Sequence, residues 1–254
     1  MIELVLEDVG VQYGRAQVLD AVTTPPVVGR EVVAIIGPNA AGKSTLLRRI
    51  AGLVGGTGTV RASGASNVPG REALRTTYLP QETSSLAALT VYESILLALR
   101  QRGSWTVGRE ETQLIELALR TLRIEDLAMR RLSELSGGQR QLASLAQTLA
   151  RQPDIMLLDE PTSALDLRRQ YEVVSVIRET AAERGIVAIV SIHDLDLALR
   201  FADKVLVLSQ GRCVAFGTSS DVITPELLAS VYQVRARIEG LGGQQPHVVV
   251  EGPI

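Results

Sequence analysis

The period of the apolar positions changes several times along this chain, and the order of those changes predicts an architecture. Residues 2–9 (IELVLEDV) and 16–23 (AQVLDAVT) alternate and are rich in β-branched side chains, which predicts two strands separated by the turn QYGR. EVVAII (31–36) is an unbroken apolar run, the pattern of a parallel strand buried on both faces. A helix is expected from Thr45 (TLLRRIAGL), then a strand in a short hairpin (TGTVRASG, 57–64) and a strand (RTTYLPQ, 75–81) ending at Pro80 with Gln81 at its exit. From Leu89 to about Gln152 the period becomes helical in three blocks, which reads as an inserted helical unit. PDIMLLDEP then returns to an apolar strand, residues 166–185 predict a long helix stopped by Gly185, and GIVAIVSIHD is another buried strand. The tail after Ile238 starts Gly-rich, and its VVV reads as a short strand or as nothing ordered. Strands alternating with helices imply an α/β fold with a mainly parallel sheet.

Composition narrows the class. At 254 residues and 46% hydrophobic content the chain can bury one substantial core, with a smaller attached subdomain. A net charge of -2, from 26 basic and 28 acidic residues well interspersed, leaves no electrostatic footprint for nucleic acid or an anionic membrane. The single cysteine, Cys213, excludes an intrachain disulfide framework, suits a reducing cytosol, and reads as a small residue of the strand RCVAF. No apolar run reaches about eighteen residues, and no basic stretch precedes an apolar one at the start, so the chain is expected neither to be exported nor to span a membrane by itself.

The chemistry enters at GPNAAGKST: Gly37, Pro38, Asn39, Ala40, Ala41, Gly42, Lys43, Ser44 and Thr45. Gly37, Gly42, Lys43 and Ser44 match G-x-x-x-x-G-K-[ST], and the strand before and helix after supply the context the motif needs, since backbone N–H groups and a helix N-terminus must both point at phosphates. Lysine occurs only at positions 43 and 204, so a chain that writes arginine almost everywhere keeps lysine in this loop. A compact ammonium fits between two phosphates where a planar guanidinium fork does not. IMLLDE (155–160) places Asp159 at a strand's carboxyl end to hold Mg²⁺ through water, with the Ser44 hydroxyl as a direct ligand; Glu160 is placed to polarise the attacking water. An Asp-Glu pair at a strand end is otherwise often only a helix cap; the phosphate loop changes its meaning.

About a hundred residues after the loop comes LSGGQ (135–139). With that motif the chain resembles the ATP-binding cassette (ABC) family over nearly its whole length. The resemblance implies a P-loop nucleotide hydrolase core (1–82 and 153–237) with an antiparallel β subdomain, a helical subdomain (83–152) and a C-terminal tail (238–254). It implies ATP and Mg²⁺ as ligands, Tyr13 stacked on adenine, and Gln81 sensing the metal and γ-phosphate. Ser136, Gly138 and Gln139 would contact ATP bound to a second copy of the chain, SALD (163–166) would cross the dimer interface, and His193 would be the switch histidine at the γ-phosphate. One copy of each motif makes half of two composite sites, so a homodimer is expected. Ala40 stands where the family generally has glycine, and the expectation is that the position does not require a positive φ. The stretch ending DVITPELLASVYQV is similar to the ATPase subunits of importers for iron–siderophore, haem and cobalamin complexes. That resemblance implies an integral membrane permease as partner, an extracytoplasmic binding protein acting indirectly, no nucleic acid, and a cytoplasmic location peripheral to the inner face of the membrane. Other importers, exporters and non-transport cassettes remain the alternatives. The permease groove is expected near Leu86 to Tyr92 and around Arg100 to Trp105.

Overall fold

The structure is a computed structural model that describes residues 1–81, 88–100, 108–240 and 246–254. Its centre is a six-stranded sheet in the order β5-β6-β7-β3-β8-β9. These strands are β3 (Val32–Ile36), β5 (Thr76–Leu79), β6 (Ile155–Asp159), β7 (Val187–Ser191), β8 (Lys204–Ser209) and β9 (Arg212–Thr218). The first five pair in parallel and β9 closes the edge antiparallel to β8. Burial on both faces is why β3, β6 and β7 read as continuous apolar runs rather than alternating ones.

The two faces take different partners. Val33 and Ile35 of β3 pack with helix α1 (Lys43–Ile50) and with a second, three-stranded antiparallel sheet, β2-β1-β4. That sheet comprises β1 (Glu3–Tyr13), β2 (Ala16–Val28) and β4 (Thr57–Ser63). Val32, Ala34 and Ile36 face the larger cluster formed with α2 (Val91–Leu99), α3 (Arg109–Thr121), α4 (Gly137–Ala150), α5 (Leu167–Arg184) and α6 (Leu195–Phe201). The three helical blocks of the sequence are α2, α3 and α4, and Gly185 stops α5 in a left-handed conformation, φ 64°.

Local pattern misleads at two places and leaves a third open. TGTVRASG does not form a hairpin with its neighbours; β4 pairs antiparallel with β1, Leu4 opposite Ala62, which satisfies the hydrogen-bonding edge of β1 that β2 leaves open. Helix α1 begins at Lys43 rather than Thr45. The tail is ordered as a strand: β11 (His247–Pro253) pairs with β10 (Val234–Glu239), and Val234, Ala236, Ile238 and Val248 pack against the larger core. Among the described residues no helix is long and apolar enough to cross a membrane.

Candidate functional site

The carboxyl ends of adjacent parallel strands converge, and at those ends this chain places its chemistry. β3 runs into the phosphate loop, β5 into Gln81, β6 ends at Asp159 with Glu160 next, and β7 is followed by His193.

The loop is shaped by its main chain. Gly37 has φ 148°, and a Cβ there would sit 2.1 Å from the Leu208 carbonyl oxygen; a Cβ on Gly42, φ 103°, would meet Leu19 Cδ2 at 2.7 Å. Neither position accepts a side chain. Gly42 caps α1, so the first N–H groups of that helix open into the loop. Lys43 folds back over the loop and its ammonium donates to the carbonyl oxygens of Gly37 (2.8 Å) and Pro38 (3.1 Å). Burial lowers the Lys43 pKa, against the pull of the nearby Glu160 and Asp159 carboxylates. Ala40 corrects the sequence expectation: its φ is 63°, in the left-handed region. The turn demands this conformation whichever residue occupies it, and an alanine there costs about 1 kcal/mol. Ser44 is half-buried and Thr45 buried on the first turn of α1. Tyr13 lies where β1 turns into β2, 47% exposed.

The second half of the site is a hydrogen-bonded cluster of side chains. Asp159 is 1% exposed, and its two oxygens accept from Ser191 Oγ (2.7 Å) and from the Tyr78 hydroxyl (3.1 Å). Tyr78 in turn accepts from Arg48 Nε of α1 at 3.4 Å, and burial pushes its phenol pKa up. Glu160 is held at both carboxylate oxygens, one against His193 Nε2 and the other by Gln81 Nε2 at 2.7 Å. Its backbone is left-handed, φ 50°, and is fixed by bonds at both ends of the residue. Glu160 N–H donates to Ser191 Oγ (2.9 Å), and its carbonyl accepts from Gln141 Nε2 (2.7 Å) and Ser163 Oγ (3.1 Å). A strained non-glycine conformation persists where the surroundings over-determine it in this way. The predicted Gln81, Asp159, Glu160 and His193 therefore come together.

Tyr78, Ser191 and Gln141 went unread in the sequence as site residues. The one visible signal was Ser191 itself, a polar residue in an apolar strand run. From DVITPELLASVYQV, Tyr232 reaches the loop: burial pushes its phenol pKa up to about 12, while the Gly37 N–H facing its oxygen acts the other way.

Ser136 and Gln139 form a capping box on α4. Gln139 N–H donates to Ser136 Oγ at 3.3 Å and Ser136 N–H to Gln139 Oε1 at 3.0 Å, so the Ser-x-x-Gln spacing has a local cause. Among the described residues no hydrogen bond joins this stretch to the chain's own phosphate loop. Gly138 packs on the 163–166 turn, where a Cβ would lie 2.8 Å from the Ala164 carbonyl oxygen. Of the expected permease groove, residues 86–87 and 101–105 lie outside the described residues. Among the rest, Val91 is buried and Tyr92 and Arg100 are half-buried, while Leu97 of α2, outside the expected stretch, is exposed.

A glycine-rich loop, a lysine over it and a carboxylate at the end of a second parallel strand define a nucleotide triphosphatase of the P-loop type. Residues 27–163 match the ABC transporter family. The haemin import ATP-binding protein HmuV of Bradyrhizobium diazoefficiens is 38% identical over 242 residues, covering 91% of this chain and 88% of that one. A solved structure assigned to the metal-chelate type of ABC transporter, in an inward-facing conformation, superposes with a TM-score of 0.84 at 25% identity over 100% of this chain and 98% of that one. A dimeric bacterial ABC transporter cassette superposes with a TM-score of 0.74 at 25% identity, over 85% and 98%. The chain belongs to the ABC transporter family and is one of its ATP-binding, ATP-hydrolysing cassettes.

Proposed function

We propose that this chain powers the import of metal chelates of the haem, iron–siderophore or cobalamin kind, as a homodimer docked at the cytoplasmic face of a separate permease. The observation that carries the reading is whole-chain similarity to a haemin import ATP-binding protein and to a metal-chelate type transporter, the latter spanning 100% of the chain. The dimeric relative supports pairing.

In this reading the main-chain N–H groups of residues 37–45 and the Lys43 ammonium hold the β- and γ-phosphates, with Tyr13 against the adenine. Ser136, Gly138 and Gln139 of a second copy close over the γ-phosphate, where the bare N-terminus of α4 offers N–H groups and a positive dipole end. The donor set fits Mg²⁺: Ser44 offers a hydroxyl, Gln81 an amide oxygen, and Asp159 a carboxylate held back by Ser191 and Tyr78, all hard oxygen donors. The cation would neutralise charge on the β- and γ-phosphates. Glu160, clamped by His193 and Gln81, accepts the proton of the attacking water. His193 and Gln81 orient that carboxylate and sense the γ-phosphate.

The test is reconstitution. Co-expressed with the permease of its own gene cluster, the chain should co-purify with it, and vesicles holding the complex should take up labelled haem, iron–siderophore or cobalamin in an ATP-dependent way. A complex that forms and hydrolyses ATP but moves none of the three overturns the substrate class.

A further inference from the structure

Gln141 belongs to the predicted helical unit yet is 8% exposed and bonded wholly to the core. Its Nε2 donates to the Glu160 carbonyl at 2.7 Å and to Ser163 Oγ at 3.4 Å, while its Oε1 accepts from Ala164 N–H at 3.1 Å. One amide thus spans the residue after β6, the turn that follows, and helix α4. The point of attachment matters because Glu160 occupies a left-handed conformation that its own side chain does not favour, and the carboxylate's direction is set by that backbone. Of the bonds that fix Glu160, those from Ser191 and Ser163 come from the core itself; the Gln141 bond is the one that comes from α4. Three residues earlier, Gly138 leaves no room for a Cβ against the Ala164 carbonyl, so the amino end of α4 packs directly on this turn.

We propose that Gln141 is a positioning residue that makes the aim of Glu160 depend on the seating of α4. When α4 is seated, the Glu160 carbonyl is held and the carboxylate points between Gln81 and His193. When α4 shifts, that carbonyl loses the one donor α4 supplies and keeps only those of Ser163, so the backbone is held less firmly in the left-handed region and the carboxylate can swing away. Hydrolysis at one site is then coupled to the position of the same chain's α4, whose Ser136 and Gly138 serve the γ-phosphate of the partner site, so water attack at one site waits until the other site is closed. This rests on the reading of Glu160 as the base.

The experiment compares Gln141→Met, of similar length and without hydrogen-bonding groups, with Gln141→Glu, which keeps an acceptor for Ala164 N–H but loses the amide donor to Glu160. Each is made alone and combined with Glu160→Gln. Dissociation constants for MgATP, kcat and thermal midpoints are measured for the full chain. The expected result is a fall in kcat of at least tenfold for both variants, an ATP dissociation constant within about twofold of wild type, a thermal midpoint that falls more for Gln141→Glu, which buries a carboxylate against the Glu160 carbonyl, than for Gln141→Met, and no further loss of rate in the Glu160→Gln background. Residues acting as one unit lose their effects non-additively, whereas a general loss of folding would depress the double variant further. If Gln141→Glu folds poorly, Gln141→Met carries the same expectation. A kcat within twofold of wild type, or parallel losses of affinity, rate and thermal midpoint that add in the double variant, overturns the proposal. If Glu160→Gln alone hydrolyses at wild-type rate, the reading of Glu160 as base fails instead, which separates the two.

Discussion

The phosphate loop and the carboxylate cluster face each other across the same strand ends, yet they are built by opposite means. The loop is nine consecutive residues whose shape is enforced by main-chain geometry: two glycines that have no room for a Cβ, and a helix end. The cluster is assembled from side chains on β5, α4, β6 and β7, joined by hydrogen bonds across 19 to 81 residues. Contiguity makes the first half robust and visible. Dispersal makes the second half adjustable, since any of several elements can tighten or release it. A binding surface benefits from the first property and a reaction gated by conformation from the second.

Breaking the comparison should separate holding from hydrolysing. The largest effect is expected for Glu160→Gln, which keeps the shape of the cluster but cannot accept a proton. Turnover should fall by roughly 10² to 10⁴ while MgATP binding survives, as single-turnover hydrolysis and equilibrium binding would show. A variant that hydrolyses normally would move the base to another group. On the loop side, Gly37→Ala forces a Cβ against the Leu208 carbonyl and should lose binding and stability together, by about 3 kcal/mol or more in urea unfolding. Equal stability would mean that the loop is less rigid than its geometry implies. Ser191→Ala removes a hydroxyl with 0% exposure that serves both Asp159 and Glu160, leaving two groups short of a partner. A loss of roughly 2 kcal/mol is expected, with a fall in turnover larger than any fall in ATP affinity. The smallest effect runs the other way. Ala40→Gly relieves the left-handed alanine but adds freedom to the unfolded chain, so stability should rise by less than about 1 kcal/mol, read from the thermal midpoint.

The same contrast decides how much the sequence disclosed. Gly37, Lys43, Ser44 and the Ser136–Gln139 stretch were legible because each motif is local and its physical reason is local: a cradle of N–H groups, a capping box. Asp159, Glu160, Gln81 and His193 were legible as residues at strand exits. Their mutual bonds were not, because which exits are neighbours depends on the order β5-β6-β7-β3, which alternation of strand and helix does not specify. Gln141 looked like any polar residue in a helix, and Tyr78 like a strand tyrosine. Ala40 was misjudged because a loop motif carries no dihedral angle. β4 was misjudged because its partner β1 lies about fifty residues earlier, beyond the reach of any hairpin rule. The tail's valines read as a strand or as nothing because their partner and their packing surface are tertiary.

The central claim is that ATP is hydrolysed at sites each completed by a second copy: the loop of one chain and the α4 terminus of another. Mixing Lys43→Ala protein with Ser136→Arg protein tests it most directly, because each alone has both of its sites damaged whereas their heterodimer has one intact site and one doubly damaged. The mixture is expected to hydrolyse ATP faster than either variant alone, in proportion to the heterodimer measured by differential tagging. Heterodimers that form in quantity and hydrolyse no faster than their parents would contradict it.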